Sequence, residues 1–272
     1  MAKTFKRSNS IALNYADDGT GQPVLLIHGV GSALDAWDGV IAEMRPDRRY
    51  IRFDLRGHGR SAATPGPYSL DDFVEDTIAL LDHLEIARVD LIGFSLGGLI
   101  AQAIALDHPD RLNRLALIST IAGRTPDERE TVRKRAETLK TKGAVTHLSV
   151  AVERWFTDEF RKAHPEVLEA RRKRSLENNP ECYAAAYEVL AGNDLAERLS
   201  EISLPTLVMT GENDIGSNPR MAHLIHDRIK GSELHILPLV KHAVLLESPV
   251  RIARLLENFL SPNCHPGERQ DP

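Results

Sequence analysis

Gly93-Phe94-Ser95-Leu96-Gly97 fits the pattern G-x-S-x-G, which can present a serine hydroxyl for attack on a carbonyl carbon. The pentapeptide alone is weak, because chance would place it in roughly one chain of this length in ten. Its setting strengthens it. The apolar run Val89-Asp90-Leu91-Ile92 precedes it, and a small-residue, helix-forming run, Gly98 to Ala103, follows. A serine on the turn between a strand and a helix is a nucleophile elbow, where side chains at positions 93 and 97 would collide with neighbouring backbone. The helix N-terminus beyond it favours negative charge.

A serine hydroxyl is a poor nucleophile until a neighbouring base takes its proton. A histidine oriented by a buried carboxylate does this, and after such an elbow the chain order is serine, acid, histidine. The run Pro205 to Met209 reads as a late strand followed by Gly211-Glu212-Asn213-Asp214, and Leu234 to Leu237 reads as the last strand, followed by Lys241-His242-Ala243. Asp214 is the leading acid, with Glu212 as runner-up. The position after the sixth strand, Ile118 to Ala122, offers no carboxylate. Of eleven histidines only His242 occupies the required loop. His223 and His226 fall in a predicted helix, His235 falls inside the last strand, and His83, His108, His147, His164 and His265 have no supporting context. An acyl-transfer intermediate also needs two donors where negative charge develops. The backbone N–H of Leu96 is one candidate, and that of Val30, in the turn His28-Gly29-Val30-Gly31, is the other.

These groups must be carried to one place. Short apolar runs at Pro23 to Ile27, Tyr50 to Phe53, Val89 to Ile92 and Leu115 to Ile118 alternate with stretches of helical spacing such as Leu70, Phe73, Val74, Thr77, Ile78, Leu81 and Leu84. That pattern predicts an α/β class with a mostly parallel sheet. Ser10 to Tyr15 alternates and reads as an antiparallel edge hairpin. Between Arg124 and about Ser200 only helical spacing occurs. The reading is a core of residues 1–123 and 201–262, a helical cap of residues 124–200 inserted after strand 6, and a disordered tail at 263–272. Residues 124–174 carry 14 Lys/Arg against 9 Asp/Glu, whereas the chain as a whole has a net charge of −5. Arg171-Arg172-Lys173-Arg174 is either a solvated helix face or part of a cationic cap that attracts anionic substrates.

Composition excludes several classes. With 272 residues, 42% of them hydrophobic, the chain can bury a core without staples. A balance of 34 Lys+Arg against 39 Asp+Glu gives no basic field for nucleic acid. Two cysteines, Cys182 and Cys264, rule out a disulfide scaffold or a cysteine-rich zinc module. No ligand-spaced cluster and no G-x-G-x-x-G after a strand implies a metal or other cofactor, so none is expected. The longest uncharged run, Leu91 to Leu106, is too short and polar to span a membrane. The N-terminus lacks the apolar core of a signal peptide, so a cytoplasmic location is expected. The expected partner is a small, anionic molecule, and a homo-oligomer is compatible with the sequence.

His28-Gly29, the stretch Asp54-Leu55-Arg56-Gly57-His58-Gly59-Arg60-Ser61, the elbow, Asp214 and His242 together resemble the α/β-hydrolase superfamily over roughly residues 10–260. The resemblance implies an eight-stranded α/β-hydrolase fold and a Ser95, Asp214, His242 triad. In it the D-x-R-G-x-G-x-S stretch marks the fold and shapes the pocket floor, with His58 structural. Within the superfamily the chain looks most like the 3-oxoadipate enol-lactonases. Gly66-Pro67-Tyr68-Ser69, Glu153-Arg154-Trp155-Phe156-Thr157 and Asn179-Pro180-Glu181-Cys182-Tyr183-Ala184 carry that likeness. It departs from them at His28-Gly29, where they often have Asn-Ser, and at Leu96, where they often have Met. The implied activity is serine hydrolysis of a small carboxylate-bearing lactone or ester, in the carboxylic ester hydrolase class, with Trp155 lining the pocket or buried in the core. Related bodies hydrolyse amides or carbon–carbon bonds, act as perhydrolases, or bind ligand without turnover. Haloalkane dehalogenases and many epoxide hydrolases use Asp at the elbow, where this chain has Ser95. Carbon–carbon hydrolases usually place an aromatic after the catalytic histidine, where this chain has Ala243.

Overall fold

The computed structural model describes residues 3–6 and 11–261; the tail expected at 263–272 and His265 lie outside the described residues. Eight strands form one sheet: β1 (Lys3–Lys6), β2 (Ala12–Asp18), β3 (Pro23–Ile27), β4 (Arg49–Phe53), β5 (Val89–Phe94), β6 (Leu112–Ile118), β7 (Thr206–Gly211) and β8 (Glu233–Leu237). Their spatial order is β1-β2-β4-β3-β5-β6-β7-β8. From β4 to β8 all neighbours pair in parallel, and β2 pairs antiparallel with both β1 and β4. The alternating segment expected as an edge is therefore β2, one strand in. The short polar run Lys3-Thr4-Phe5-Lys6 takes the edge, where charged side chains discourage further pairing.

The parallel strands read as continuous apolar runs because both faces are covered. Along β3, Leu25 and Ile27 pack into one core cluster while Val24 and Leu26 pack into the other. The helix Leu70–His83 covers the first face. Ser69 caps it, accepting from the Asp72 N–H at 3.1 Å, while Asp72 accepts from the Ser69 N–H at 2.8 Å.

Register aligns the C-terminal strand ends. Ile27 lies opposite Gly93, Phe94 opposite Ile118, and Gly211 opposite Leu237. The loops after β3, β5, β7 and β8 thus leave the sheet on one edge. The strand order reverses direction between β3 and β5, the place where open α/β sheets form a crevice.

Between β6 and β7 come the helices Pro126–Trp155, Asp158–Ala163, Pro165–Leu176 and Pro180–Gly192. The first is two helices joined at Gly143, whose φ of 78° breaks the hydrogen-bond ladder. Asn179 caps the last, its side chain accepting from the N–H groups of Glu181 and Cys182, with Pro180 at the first turn.

The loop after β4 is held by an ion pair. Arg56 donates to both oxygens of Asp76, at 2.6 and 2.8 Å, and to Asp72 at 2.6 Å. Asp76 is fully buried. Replacing Arg56 by Met takes both guanidinium hydrogen bonds from that buried carboxylate, and urea unfolding is expected to show a loss of about 3–5 kcal/mol. A loss no larger than that of an exposed pair, below about 1 kcal/mol, would contradict this reading.

Candidate active site

Ser95 sits between β5 and the helix Leu96–Asp107 with φ 56° and ψ −114°, a strained conformation for a side-chain-bearing residue. Its N–H donates to the Ile118 carbonyl at 2.9 Å, which holds the turn against β6. Both flanking glycines are required. A Cβ on Gly93 would stand 2.2 Å from the Gly97 carbonyl oxygen, and one on Gly97 would stand 2.2 Å from that of Ile27.

The loop after β8 brings His242 Nε2 to 3.2 Å from Ser95 Oγ, and its Nδ1 to 2.6 Å from Asp214 Oδ2. A carboxylate can only accept, so Nδ1 carries the proton and Nε2 is left free to accept from the hydroxyl. Burial alone would raise the Asp214 pKa. The His242 ring and the N–H groups of Ser217 and Gly216 outweigh that and hold it below the usual carboxylate range. The two N–H groups donate to Oδ1 at 3.0 and 2.7 Å. Glu212, the runner-up acid, is exposed and accepts from the Leu239 N–H instead.

The His242 loop is tied to the helical insertion. The Ala243 N–H donates to the Trp155 carbonyl at 2.8 Å. Glu247 accepts from the Lys241 N–H at 2.9 Å, and from the N–H and hydroxyl of Thr157 at 2.7 Å each. The Phe94 ring lies 5.3 Å from the His242 ring, centroid to centroid.

The turn after β3 passes beside Ser95. A Cβ on Gly29 would stand 3.0 Å from the Ser95 Cβ. The N–H groups of Val30 and Leu96 have no acceptor among the described residues. Gly31, at φ 70°, is gripped from two sides. Its N–H donates to His58 Nε2 at 3.0 Å, and its carbonyl accepts from Arg171 at 2.8 Å and from the Ser175 hydroxyl at 3.1 Å. His28 Nε2 accepts from the Leu55 N–H at 3.0 Å and its Nδ1 donates to the Gly29 carbonyl. His58 Nδ1 donates to the Arg56 carbonyl. The D-x-R-G-x-G-x-S stretch, expected to shape the pocket floor, does not line the cavity. It acts at one remove, through His58 on Gly31 and through Asp54, which accepts from the Leu34 and Arg60 N–H groups at 2.8 Å.

A cavity of about 450 Å³ opens over these groups, lined by Ser95, His242, Asp214 and Val30 from the sheet loops and by Trp155 from the insertion. Trp155 is half-buried, with the Arg171 guanidinium 4.9 Å from its ring centre. No described helix is long and apolar enough to cross a membrane.

A family profile of the alpha/beta hydrolase fold matches residues 22–249. The chain belongs to the α/β-hydrolase family. Over 266 residues this hydrolase is 33% identical to the (E)-2-((N-methylformamido)methylene)succinate hydrolase of Acinetobacter baylyi, covering 96% of this chain and 98% of the relative. It is 33% identical over 244 residues to 3-oxoadipate enol-lactonase 2 of the same organism, covering 89% of this chain and 90% of the relative. The solved enol-lactonase of Burkholderia xenovorans LB400 superposes with a TM-score of 0.87 at 29% identity, covering 95% of this chain and 99% of that one.

Sequence reasoning marked His58 as structural but missed the partners of the buried histidines in this hydrolase. His28, His58 and His147 are each at most 3% exposed. Burial pushes His28 down to about 4, His58 to about 3 and His147 to about 4. An unfolded chain protonates histidine near pH 6.5, so below that pH the unfolded state binds more protons than the folded one. Stability therefore falls as pH drops from 6.5 towards 4. Urea titrations between pH 7 and 5 are expected to give a slope approaching about 1.4 kcal/mol per pH unit for each such histidine. A flat profile across that window would show that these rings are not held neutral.

Proposed function

We propose that the protein is a serine hydrolase that works through an acyl-enzyme. The continuous contact from Ser95 through His242 to Asp214, at the floor of the cavity, carries the reading. Ser95 Oγ attacks the carbonyl carbon as its proton passes to His242 Nε2. The oxyanion is received by the N–H groups of Val30 and Leu96, which have no other acceptor among the described residues. His242 then gives the proton to the departing oxygen, which in a lactone stays tethered to the acyl group. Water attacks the acyl-enzyme as its proton goes to Nε2, and the acyl–Oγ bond then breaks as that proton passes to Ser95 Oγ. Asp214 holds the ring and stabilises the transient imidazolium.

The substrate in this reading is a small lactone or ester bearing a carboxylate, which places the enzyme among the carboxylic ester hydrolases. Two observations support it: the relatives are named for an enol-lactone and for a succinate derivative, and the cavity wall carries more arginine than acid. Residues 124–200 serve as the cap. Amide hydrolysis is the second reading, favoured by the N-methylformamido group in the name of a relative that spans nearly the whole chain. A panel of lactones, esters, amides and vinylogous diketones, each with and without a carboxylate, separates the two.

Ser95→Ala is expected to lower kcat by a factor on the order of 10⁶ while leaving the unfolding transition in place. Retention of more than about a tenth of wild-type turnover would mean a different nucleophile. With an anionic substrate, kcat/KM is expected to fall as salt rises from about 0.01 to 0.5 M, because the steering field is screened. A neutral ester should show no such trend.

A further inference from the structure

The guanidiniums that face the cavity are not equally provided for. Arg174 is paired with Asp35 and with Glu177, the latter at 2.8 Å. Arg124 donates to the carbonyls of Leu190 and Asn193, at 2.9 and 3.3 Å. Arg171 is engaged by the Gly31 carbonyl and the Trp155 ring. Arg135 and Arg154 differ. Neither has a carboxylate within salt-bridge distance or a backbone acceptor among the described residues, and the Arg154 Nε is buried without a partner. The two come from either side of the Gly143 break in the helix Pro126–Trp155, and both reach one cavity.

Their surroundings sharpen the imbalance. Burial, and then the charge of Arg154, disfavour the charged form of Arg135. The groups facing Arg135 are the Tyr187 hydroxyl, Arg154 and the Asp214 carboxylate, which is already engaged by His242. His147, packed against the Tyr187 ring at 4.9 Å, is neutral and supplies no negative charge. Two like charges facing one cavity from half-buried positions raise the energy of the empty protein, and an anion between them removes that cost.

We infer that Arg135 and Arg154 form a carboxylate subsite, separate from the reacting centre at Ser95, that holds the far end of a dicarboxylic substrate or product. Planar guanidiniums match the two oxygens of a carboxylate. The subsite rests on the hydrolase reading only for the identity of the molecule that brings the carboxylate.

The test uses the whole protein and non-hydrolysable probes: succinate, glutarate and adipate, with their monomethyl esters and inorganic phosphate as comparisons, followed by calorimetry. At least one dicarboxylate is expected to bind the wild type more tightly than its monomethyl ester and than phosphate. Arg135→Met and Arg154→Met are each expected to weaken it by on the order of tenfold to a hundredfold. Arg135→Lys and Arg154→Lys should recover part of the loss. Without ligand, the Tm of either Met variant should equal or exceed that of the wild type, since a repulsion has been removed; a structural role would lower it. Failure of every dicarboxylate to bind, tighter binding of phosphate, or unchanged affinity in both Met variants overturns the subsite. Absence of p-nitrophenyl acetate turnover by the wild type, with arginine-dependent binding intact, overturns the hydrolase reading and leaves the subsite standing.

Discussion

A carboxylate cut off from water stays charged only if donors replace the water it has lost, and at Asp214 those donors fix everything around it. Gly216 and Ser217 turn their N–H groups onto one oxygen, which requires the loop after β7 to fold back tightly. The other oxygen is left for His242 Nδ1. Once that bond is made the proton cannot sit on Nε2, and the face of the ring towards Ser95 becomes an acceptor. The tautomer, the direction of the ring and the basic nitrogen presented to the hydroxyl all follow from the need to keep one buried charge solvated. The parallel sheet contributes by ending β5, β7 and β8 on the same edge, so that three loops of different length need only short reaches to meet.

The helical insertion is coupled to that arrangement more closely than a separate lid would be. It touches both loops that flank Ser95. Arg171 and Ser175 hold the Gly31 carbonyl on one side, and the Trp155 carbonyl and Thr157 hold the residues around His242 on the other. From the core side His58 takes the Gly31 N–H. The peptide next to Val30 is thus set jointly by core and insertion, and a neutral histidine is suited to the task because it accepts with one nitrogen while donating with the other. Residues of the insertion therefore also set the geometry of the N–H groups beside Ser95.

What the sequence revealed depended on whether a residue's role was local. Gly93 and Gly97 announce the elbow because the collisions they avoid involve backbone within the same turn or the adjoining strand. Asp214 and His242 were legible because each follows a strand with a clear apolar signature. The separation of Asp214 from Glu212 needed only the turn that buries one and exposes the other. His58 was legible as structural, but its partner Gly31 lies 27 residues away, and no spacing rule links them. The run Arg171 to Arg174 read as either a solvated helix face or part of a cationic cap. On the helix it divides: Arg172 pairs outward with Glu169, while Arg171 turns in towards Gly31 and Arg174 reaches Asp35. β1 was missed because four residues, Thr and Phe between two lysines, carry too little apolar contrast to register as a strand.

The distribution of acids in the insertion gives the excess positive charge a direction. On the outer faces arginines have acidic neighbours three residues away, as in Arg133 with Glu130, Arg161 with Asp158 and Arg172 with Glu169. Such exposed pairs add little stability, and the helices would fold without them. Along the cavity, where a paired acid would contribute far more, Arg135 and Arg154 have no carboxylate within salt-bridge distance among the described residues, and the Asp214 carboxylate that faces Arg135 is engaged by His242. A chain shaped by stability alone would place acids the other way round. Local rules of this kind are broken mainly at sites that serve something outside the fold. The charge left unbalanced by the protein is the charge that the proposed carboxylate subsite would neutralise.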